Sequence, residues 1–276
     1  MNYNIYTMIA AGMLIAGLAG CEKENAFSLN EGEGALNCES LGVNYSTLTR
    51  AHEDLIPDFT VYVVNATTND TINKFKYAEK PSLITLPVGT YKVVADYGNN
   101  PDAAWEKPYY LGETNTFTIA SGEVTTLENT VSCSLSNIRV RVNLDATCLS
   151  AVKDAKVTVN VGDKGKLEYD GTTNGKAGYF RYVENSHSIT AVLTGTLNGE
   201  AISETVSFDD AAGGKSYTAN FTANKPDNNN PGGIGTGDGN GDGLTIDSNI
   251  TVEKTGTDVE VDKPFDEIIE DDMRNK

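Results

Sequence analysis

The sequence predicts an all-β protein made of two tandem antiparallel β-sandwich domains. Three observations predict it. Short runs rich in Val, Ile, Thr and Tyr alternate apolar and polar residues with period two. Turn-forming residues separate these runs at roughly 8–12-residue spacing. No segment keeps apolar residues at i, i+3, i+4 and i+7, so no helix is expected.

In chain order, residues 5–20 are apolar and end in Leu18-Ala19-Gly20-Cys21. This is a lipobox, in which small residues suit a lipoprotein signal peptidase and the Cys21 thiol takes a diacylglycerol. The run is too short for a stable membrane span, and residues 1–20 read as a lipoprotein signal peptide. An ordinary signal peptide and an uncleaved anchor remain open, because no Lys or Arg precedes the run. Each buried acyl CH₂ contributes about 0.8 kcal/mol, so a triacylated cysteine holds a membrane permanently. Residues 21–54 read as an acidic linker or leader, with one or two weak strands between Ala35 and Leu48.

The first sandwich is expected over 55–136. Its strands are 59–63, 74–77, 82–86, 91–95, 115–119, 124–127 and 131–135. Pro87 and Gly89 mark a turn before the strand at Tyr91, since proline presets φ and glycine tolerates positive φ. A long loop follows that strand and holds Tyr97, Trp105, Tyr109 and Tyr110; Trp105 is the single tryptophan of the chain. The domain boundary is read from phase. Val131, Cys133 and Leu135 are apolar at odd positions, whereas Ile138, Val140, Val142 and Leu144 are apolar at even ones. Facing alternates strictly along a strand, so a break is expected near Ser136-Asn137. Arg139 and Arg141 are then expected on an outward polar face.

The second sandwich is expected over 137–224. Residues 156–161 alternate cleanly, 167–169, 179–183 and 188–193 follow, and Asn198-Gly199 predicts a tight hairpin. Residues 206–208 and 217–221 complete it. Residues 225–243 are a flexible linker by composition. Within them Asp238, Asn240 and Asp242 match the start of a calcium loop, but position twelve is Asn249 rather than Glu. The linker is the preferred reading. Residues 244–276 form an acidic tail with one candidate strand, in which Leu244, Ile246, Ile250 and Val252 share a face. A lone strand is unstable in water. It has three outlets: an edge of its own sandwich, a hairpin with 258–261, or another subunit.

Four cysteines less Cys21 leave Cys38, Cys133 and Cys148. Cys133 and Cys148 flank what reads as nearly continuous strand, which holds them beyond disulfide reach. Buried free thiols are expected.

The stretch Leu86-Pro-Val-Gly-Thr-Tyr91, then Tyr97-Gly98, then Ala103-Ala-Trp-Glu-Lys-Pro-Tyr-Tyr110 resembles the signature of a domain family of unknown function, DUF4493, found in surface lipoproteins of gut Bacteroidetes. The resemblance is specific here and looser over about 55–221. That family looks like a cousin of the fimbrillins, which are lipoprotein pilins and adhesins with transthyretin-like sandwiches. The resemblance implies a lipid-anchored outer-membrane protein facing outward, and Glu22-Lys23-Glu24 resembles the acidic export signal of such lipoproteins. It also implies a trypsin-like maturation cut, for which Arg50-Ala51 is the candidate. Such a cut removes an N-terminal strand and opens a groove for a neighbouring subunit. Asp70-Thr71-Ile72 resembles a Bacteroidetes O-glycosylation acceptor, with Thr71 as the modified residue.

A net charge of −18, from 39 acidic and 21 basic residues, makes nucleic acid a poor partner. The segment 209–216, DDAAGGKS, lacks the first glycine of a phosphate loop and precedes a strand. Two histidines without a partner at metal spacing give no catalytic constellation, and no enzyme and no cofactor are expected. Two non-catalytic readings remain. One is a fimbrillin-like subunit or adhesin that assembles with like or other pilin-type subunits by strand exchange. The other is a glycan-binding surface lipoprotein in which Tyr97, Trp105, Tyr109 and Tyr110 stack on a host or dietary sugar. Trp105 as a core plug is the plain alternative for that loop.

Overall fold

The computed structural model describes residues 29–46, 55–127, 130–224 and 244–253. Cys21, the Arg50-Ala51 bond and the Asp238, Asn240 and Asp242 trio lie outside them. Among the described residues the strands are β1 (Glu33–Asn37), β2 (Gly42–Tyr45), β3 (Thr60–Asn65), β4 (Thr71–Lys76), β5 (Leu83–Pro87), β6 (Gly89–Tyr97), β7 (Ala103–Trp105), β8 (Tyr110–Glu113), β9 (Phe117–Ile119), β10 (Val124–Thr126), β11 (Thr130–Leu135), β12 (Ile138–Leu144), β13 (Val152–Val161), β14 (Gly165–Tyr169), β15 (Gly178–Phe180), β16 (Ile189–Leu197), β17 (Glu200–Phe208), β18 (Ser216–Asn224) and β19 (Thr245–Glu253). One α-helix, α1 (Ala146–Ala151), lies between β12 and β13.

The expected all-β sandwich architecture is present. A three-stranded sheet, β10-β1-β5, faces a seven-stranded one, β2-β11-β8-β6-β3-β4, with β9 attached to β6. Between them lies a core that includes Leu36, Phe59, Val61, Leu86, Tyr91, Val93 and Ile119. A five-stranded sheet, β19-β18-β12-β15-β7, and a four-stranded one, β14-β13-β16-β17, enclose a second core around Ile138, Val140, Val157, Val159, Tyr169 and Phe221. Most pairings are antiparallel; β1–β10, β2–β11 and β12–β18 are parallel. Each core fills from the apolar face of period-two strands, as the buried-exposed alternation of β11 (eBeBeB) shows.

Several local differences from the sequence expectation have physical causes. The weak strands expected between Ala35 and Leu48 are built into the first sandwich. β1 sits between β5 and β10, and Leu36 and Cys38 are fully buried. Their Gly- and Asn-rich composition hides this, because partners on both sides supply the stability that propensity lacks. The Pro87–Gly89 connection carries the chain from one sheet to the other, from β5 to β6, instead of closing a hairpin. A helix replaces the continuous strand expected before Cys148. Asp145 caps it, its carboxylate accepting from the Cys148 N–H at 2.7 Å and from the Thr147 hydroxyl at 2.7 Å. The thiols of Cys38, Cys133 and Cys148 are free and buried, as expected. The Asn198-Gly199 turn closes the β16–β17 hairpin with φ of 53° and 88°, which suits a primed turn.

Arg139 does not sit on an open polar face. It is 3% exposed. The face of β12 opposite its core is covered there, because Tyr179, which pairs with Arg139 in register, packs against the first core.

Candidate functional site

The five-stranded sheet has three strands, β18-β12-β15, from the body of the second sandwich. Both its edges are borrowed. β7 comes from the aromatic loop of the first sandwich, and β19 comes from the tail.

The aromatic loop leaves β6 at Tyr97. The Tyr97 ring packs on Phe59 at 5.5 Å and lies 6.4 Å from Tyr110. Gly98 takes φ of 90°, and a Cβ there would run into the carbonyl oxygen of Pro108. Glycine is therefore required where the two limbs of the loop meet. The loop then crosses to the second sandwich. Ala103, Ala104 and Trp105 pair with Phe180, Tyr179 and Gly178 of β15. The Trp105 ring stands edge-on to Tyr169 at 4.5 Å, and the Lys176 ammonium lies 5.6 Å from its centroid. Gly178, opposite Trp105, leaves the space that the Tyr169 hydroxyl occupies. Glu106 bonds the Ala177 carbonyl through its N–H at 3.0 Å and pairs with Lys176 at 3.1 Å.

The return limb is tied at the domain junction. Asn137 is 1% exposed; its side-chain oxygen accepts from the Tyr109 N–H, and its amide donates to Asn100 at 3.0 Å. The Ser136 N–H donates to the Tyr109 carbonyl at 2.8 Å. Arg181 donates to the Asn100 carbonyl at 2.8 Å and reaches Asp102 at 3.6 Å. The Tyr109 hydroxyl meets Asp96 at 3.5 Å, and that of Tyr62 meets the same carboxylate at 3.3 Å. Burial and the Asp96 charge push Tyr109 up to about 12. Burial raises Asp96 itself, against the lowering effect of the two tyrosine hydrogen bonds. Tyr110 is buried at 6% and meets Tyr45 edge-on at 5.3 Å.

The structure thus brings Tyr97 and Tyr110 together in the first core and sends Trp105 to the second. Their rings pack against other rings and do not share one open platform. Thr71 opens β4, the edge strand of the seven-stranded sheet, and is exposed.

The other edge, β19, pairs antiparallel with β18 over nine residues, from Ser216↔Glu253 to Asn224↔Thr245. The tail strand therefore takes the first of its three outlets. Leu244, Ile246 and Ile250 pack on the second core, while Val252 is 48% exposed. At its far end the Glu253 carboxylate accepts from four donors. Arg139 Nη1 is at 3.3 Å, Arg141 Nη1 at 3.4 Å, Ser216 Oγ at 2.9 Å and Thr218 Oγ1 at 2.7 Å; Ser216 Oγ also accepts from Arg139 at 3.2 Å, closing the ring of contacts. Four of these contacts fall on the carboxylate directly, and the fifth links two of its donors. Sequence reading missed this clasp. Its only signal was two arginines on one face of a strand otherwise made of Ile, Val and Leu, and one acid closing an alternating tail.

Among the described residues, no group of three or more His, Cys, Asp or Glu side chains is placed to hold a metal, and no helix is long and apolar enough to cross a membrane.

Residues 32–263 match the family described as a domain of unknown function, DUF4493. The chain belongs to this family. The matched span runs from β1 through β19, so the family unit takes in both the early strands and the tail strand. No curated protein matches. Among solved structures, a fimbrial assembly protein from Parabacteroides distasonis ATCC 8503 is similar with a TM-score of 0.43 and 10% identity, over 82% of this chain and 100% of that one. A candidate cell adhesion protein from Bacteroides eggerthii DSM 20697 gives 0.41 and 12%, over 83% and 97%. Candidate polysaccharide-binding proteins (DUF1812) from Bacteroides thetaiotaomicron VPI-5482 give 0.39 and 11%, over 68% and 91%.

Proposed function

We propose that this DUF4493 chain is a non-catalytic, lipid-anchored surface protein of the adhesin or fimbrial-subunit type, held to the outer membrane through Cys21 until a cut after Arg50 parts that anchor from the sandwiches and frees them to join other subunits by strand exchange. One observation carries the reading: β1, early in the chain, and β19, in its tail, complete sheets whose other strands come from the middle of the chain. β1 lies between β5 and β10 and precedes the Arg50-Ala51 candidate cut. A cut there would release β1 and β2 from covalent connection to the rest. Loss of β1 would leave a slot between β5 and β10, whose backbone groups need a new partner. β19 is the strand the chain has to offer. It follows residues 225–244, the linker 225–243 and Leu244, which join Asn224 to its own pairing partner Thr245. Twenty residues span about 70 Å when fully extended, far more than a hairpin needs. Cis pairing through so long a linker rests on an effective concentration of order millimolar, which a neighbouring copy can match at a crowded surface.

The test is limited cleavage at Arg50 with an arginine-specific protease, followed by gel analysis without boiling. A ladder that forms only after the cut, and fails in a chain shortened before Leu244, is expected. A cut chain that stays monomeric and folded would contradict the exchange reading, and an unlipidated Cys21 in the uncut protein on the cell would contradict the anchor.

A further inference from the structure

We propose that the β18 edge reads the strand that adds to it, admitting β19 in a single register through two polar contacts: the Arg139–Arg141 clasp on Glu253, and Glu204 on Ser248. The inference concerns the paired strand in one chain and holds whether or not β19 is ever exchanged.

An alternating strand fixes its facing but not its position. A one-residue slip would turn Ile246 and Ile250 outward and is excluded by burial. A two-residue slip keeps the same face inward and would cost little if apolar contacts alone decided. The structure holds a device against it on each face. On the outer face, Arg139, Ser216 and Glu253 form one row across β12, β18 and β19, and Arg141, Thr218 and Thr251 form the next. Sliding β19 one way would put Thr251 beside Ser216 and take the carboxylate out of Arg139's row. Arg139 has a side chain 4% exposed, and its Nε has no hydrogen-bond partner among the described residues. A buried guanidinium that lost its carboxylate would be left uncompensated. Sliding the other way would put Glu253 in Arg141's row and Thr255 in Arg139's. On the inner face, Ser248 is the one polar residue among Ile246 and Ile250, and its hydroxyl donates to Glu204 of β17 at 3.0 Å. A slip in either direction would set an isoleucine against that carboxylate. Between the two contacts, the amide of Asn220 bridges Asn249 at 3.0 Å and Thr251 at 3.3 Å, adding a rung that tolerates neither slip unchanged.

The partner that fits this edge is therefore a strand with two apolar residues flanking a serine and an acid three positions after the second. β19 supplies it as Ile246, Ser248, Ile250 and Glu253.

Register can be read by disulfide trapping in the full chain, whose three native described thiols are buried. Thr222→Cys with Asp247→Cys reports the observed register, since these residues are opposed. Thr222→Cys with Thr245→Cys, and Thr222→Cys with Asn249→Cys, report the two slips. With Glu253 and Ser248 present, the opposed pair is expected to cross-link at least tenfold more than either slipped pair. Adding Glu253→Gln and Ser248→Ala together is expected to bring the three yields within about threefold of one another. Two results would overturn the proposal. One is an unchanged tenfold preference in that double variant. The other is loss of all three cross-links with both cores intact by circular dichroism, which would make the contacts a means of attachment without selection.

Discussion

The two borrowed edges of the five-stranded sheet differ in how they are held. β7 is three residues long, yet both flanks of its loop are fastened: Gly98 against Pro108, Asn137 under Tyr109, Arg181 on Asn100 and Trp105 on Tyr169. β19 is nine residues long and follows a long linker, and every one of its residues is half-buried or exposed. Length of pairing is thus a poor guide to permanence. The short edge is over-determined by side chains from two sandwiches, whereas the long edge pairs with one neighbour strand and is held by Leu244, two isoleucines, the Ser248–Glu204 bond, the Asn220 bridge and a clasp at its end. The first makes a joint between the sandwiches; the second is the part that we propose can leave.

The comparison would break most visibly at Trp105. Trp105→Ala removes the ring from Tyr169 and is expected to cost about 3 kcal/mol, somewhat below a fully buried tryptophan because the ring is half-exposed. Urea unfolding should show a lower midpoint for the second sandwich and, if the joint is what couples the two domains, a second transition. A single transition with an unchanged midpoint would remove β7 from the joint.

A smaller effect is expected at the other edge. Glu253→Gln keeps the shape and some hydrogen bonding but removes the charge. The carboxylate is 30% exposed, so a loss of about 1 kcal/mol is expected, less than for a fully buried pair. Amide protection should fall over 245–253 and stay unchanged over β7 and β15. An equal fall at both edges would mean that β7 and β19 are held alike.

The thiols sharpen it further. Burial pushes Cys133 up to about 12, and Cys38 and Cys148 up to about 11. At pH 8 the folded chain should resist iodoacetamide at all three, since the thiolate is the nucleophile. Glu253→Gln should leave that resistance intact, because β19 is an edge; release of β1 should expose Cys38 first. The smallest effect concerns Asp96. Burial raises its folded-state pKa above the unfolded value, so its contribution is fully present at low pH and lost as pH rises through the raised value. Asp96→Asn, which keeps an oxygen for the hydroxyls of Tyr62 and Tyr109, should raise the thermal midpoint slightly at pH 7 and leave it unchanged at pH 3.

Much of the fold was legible because a two-residue period is a local property. Val131-Cys133-Leu135 against Ile138-Val140-Val142 marks a change of phase, and the buried residues of the first core end at Leu135 while those of the second begin at Ile138. What stayed hidden depends on pairing across long separations. β1 carries only a weak strand signal of its own and is stabilised by β5 and β10. In the aromatic loop, sequence alone offers two places for the rings, an open platform or a plug in the core. Only the β7–β15 register shows that they join the two cores. Arg139 looked solvent-facing because alternation identifies a side of the sheet, not what covers it. Its carboxylate lies 114 residues away.

Hydrogen exchange of the full chain, followed by peptide mass spectrometry under increasing urea, tests the contrast most directly. Amides of 245–253 are expected to exchange through an opening that leaves both cores protected, while those of 103–105 and 178–180 exchange only as the second sandwich unfolds. Exchange of β19 and β7 at one common free energy would show that the two edges are held alike, and would contradict that contrast.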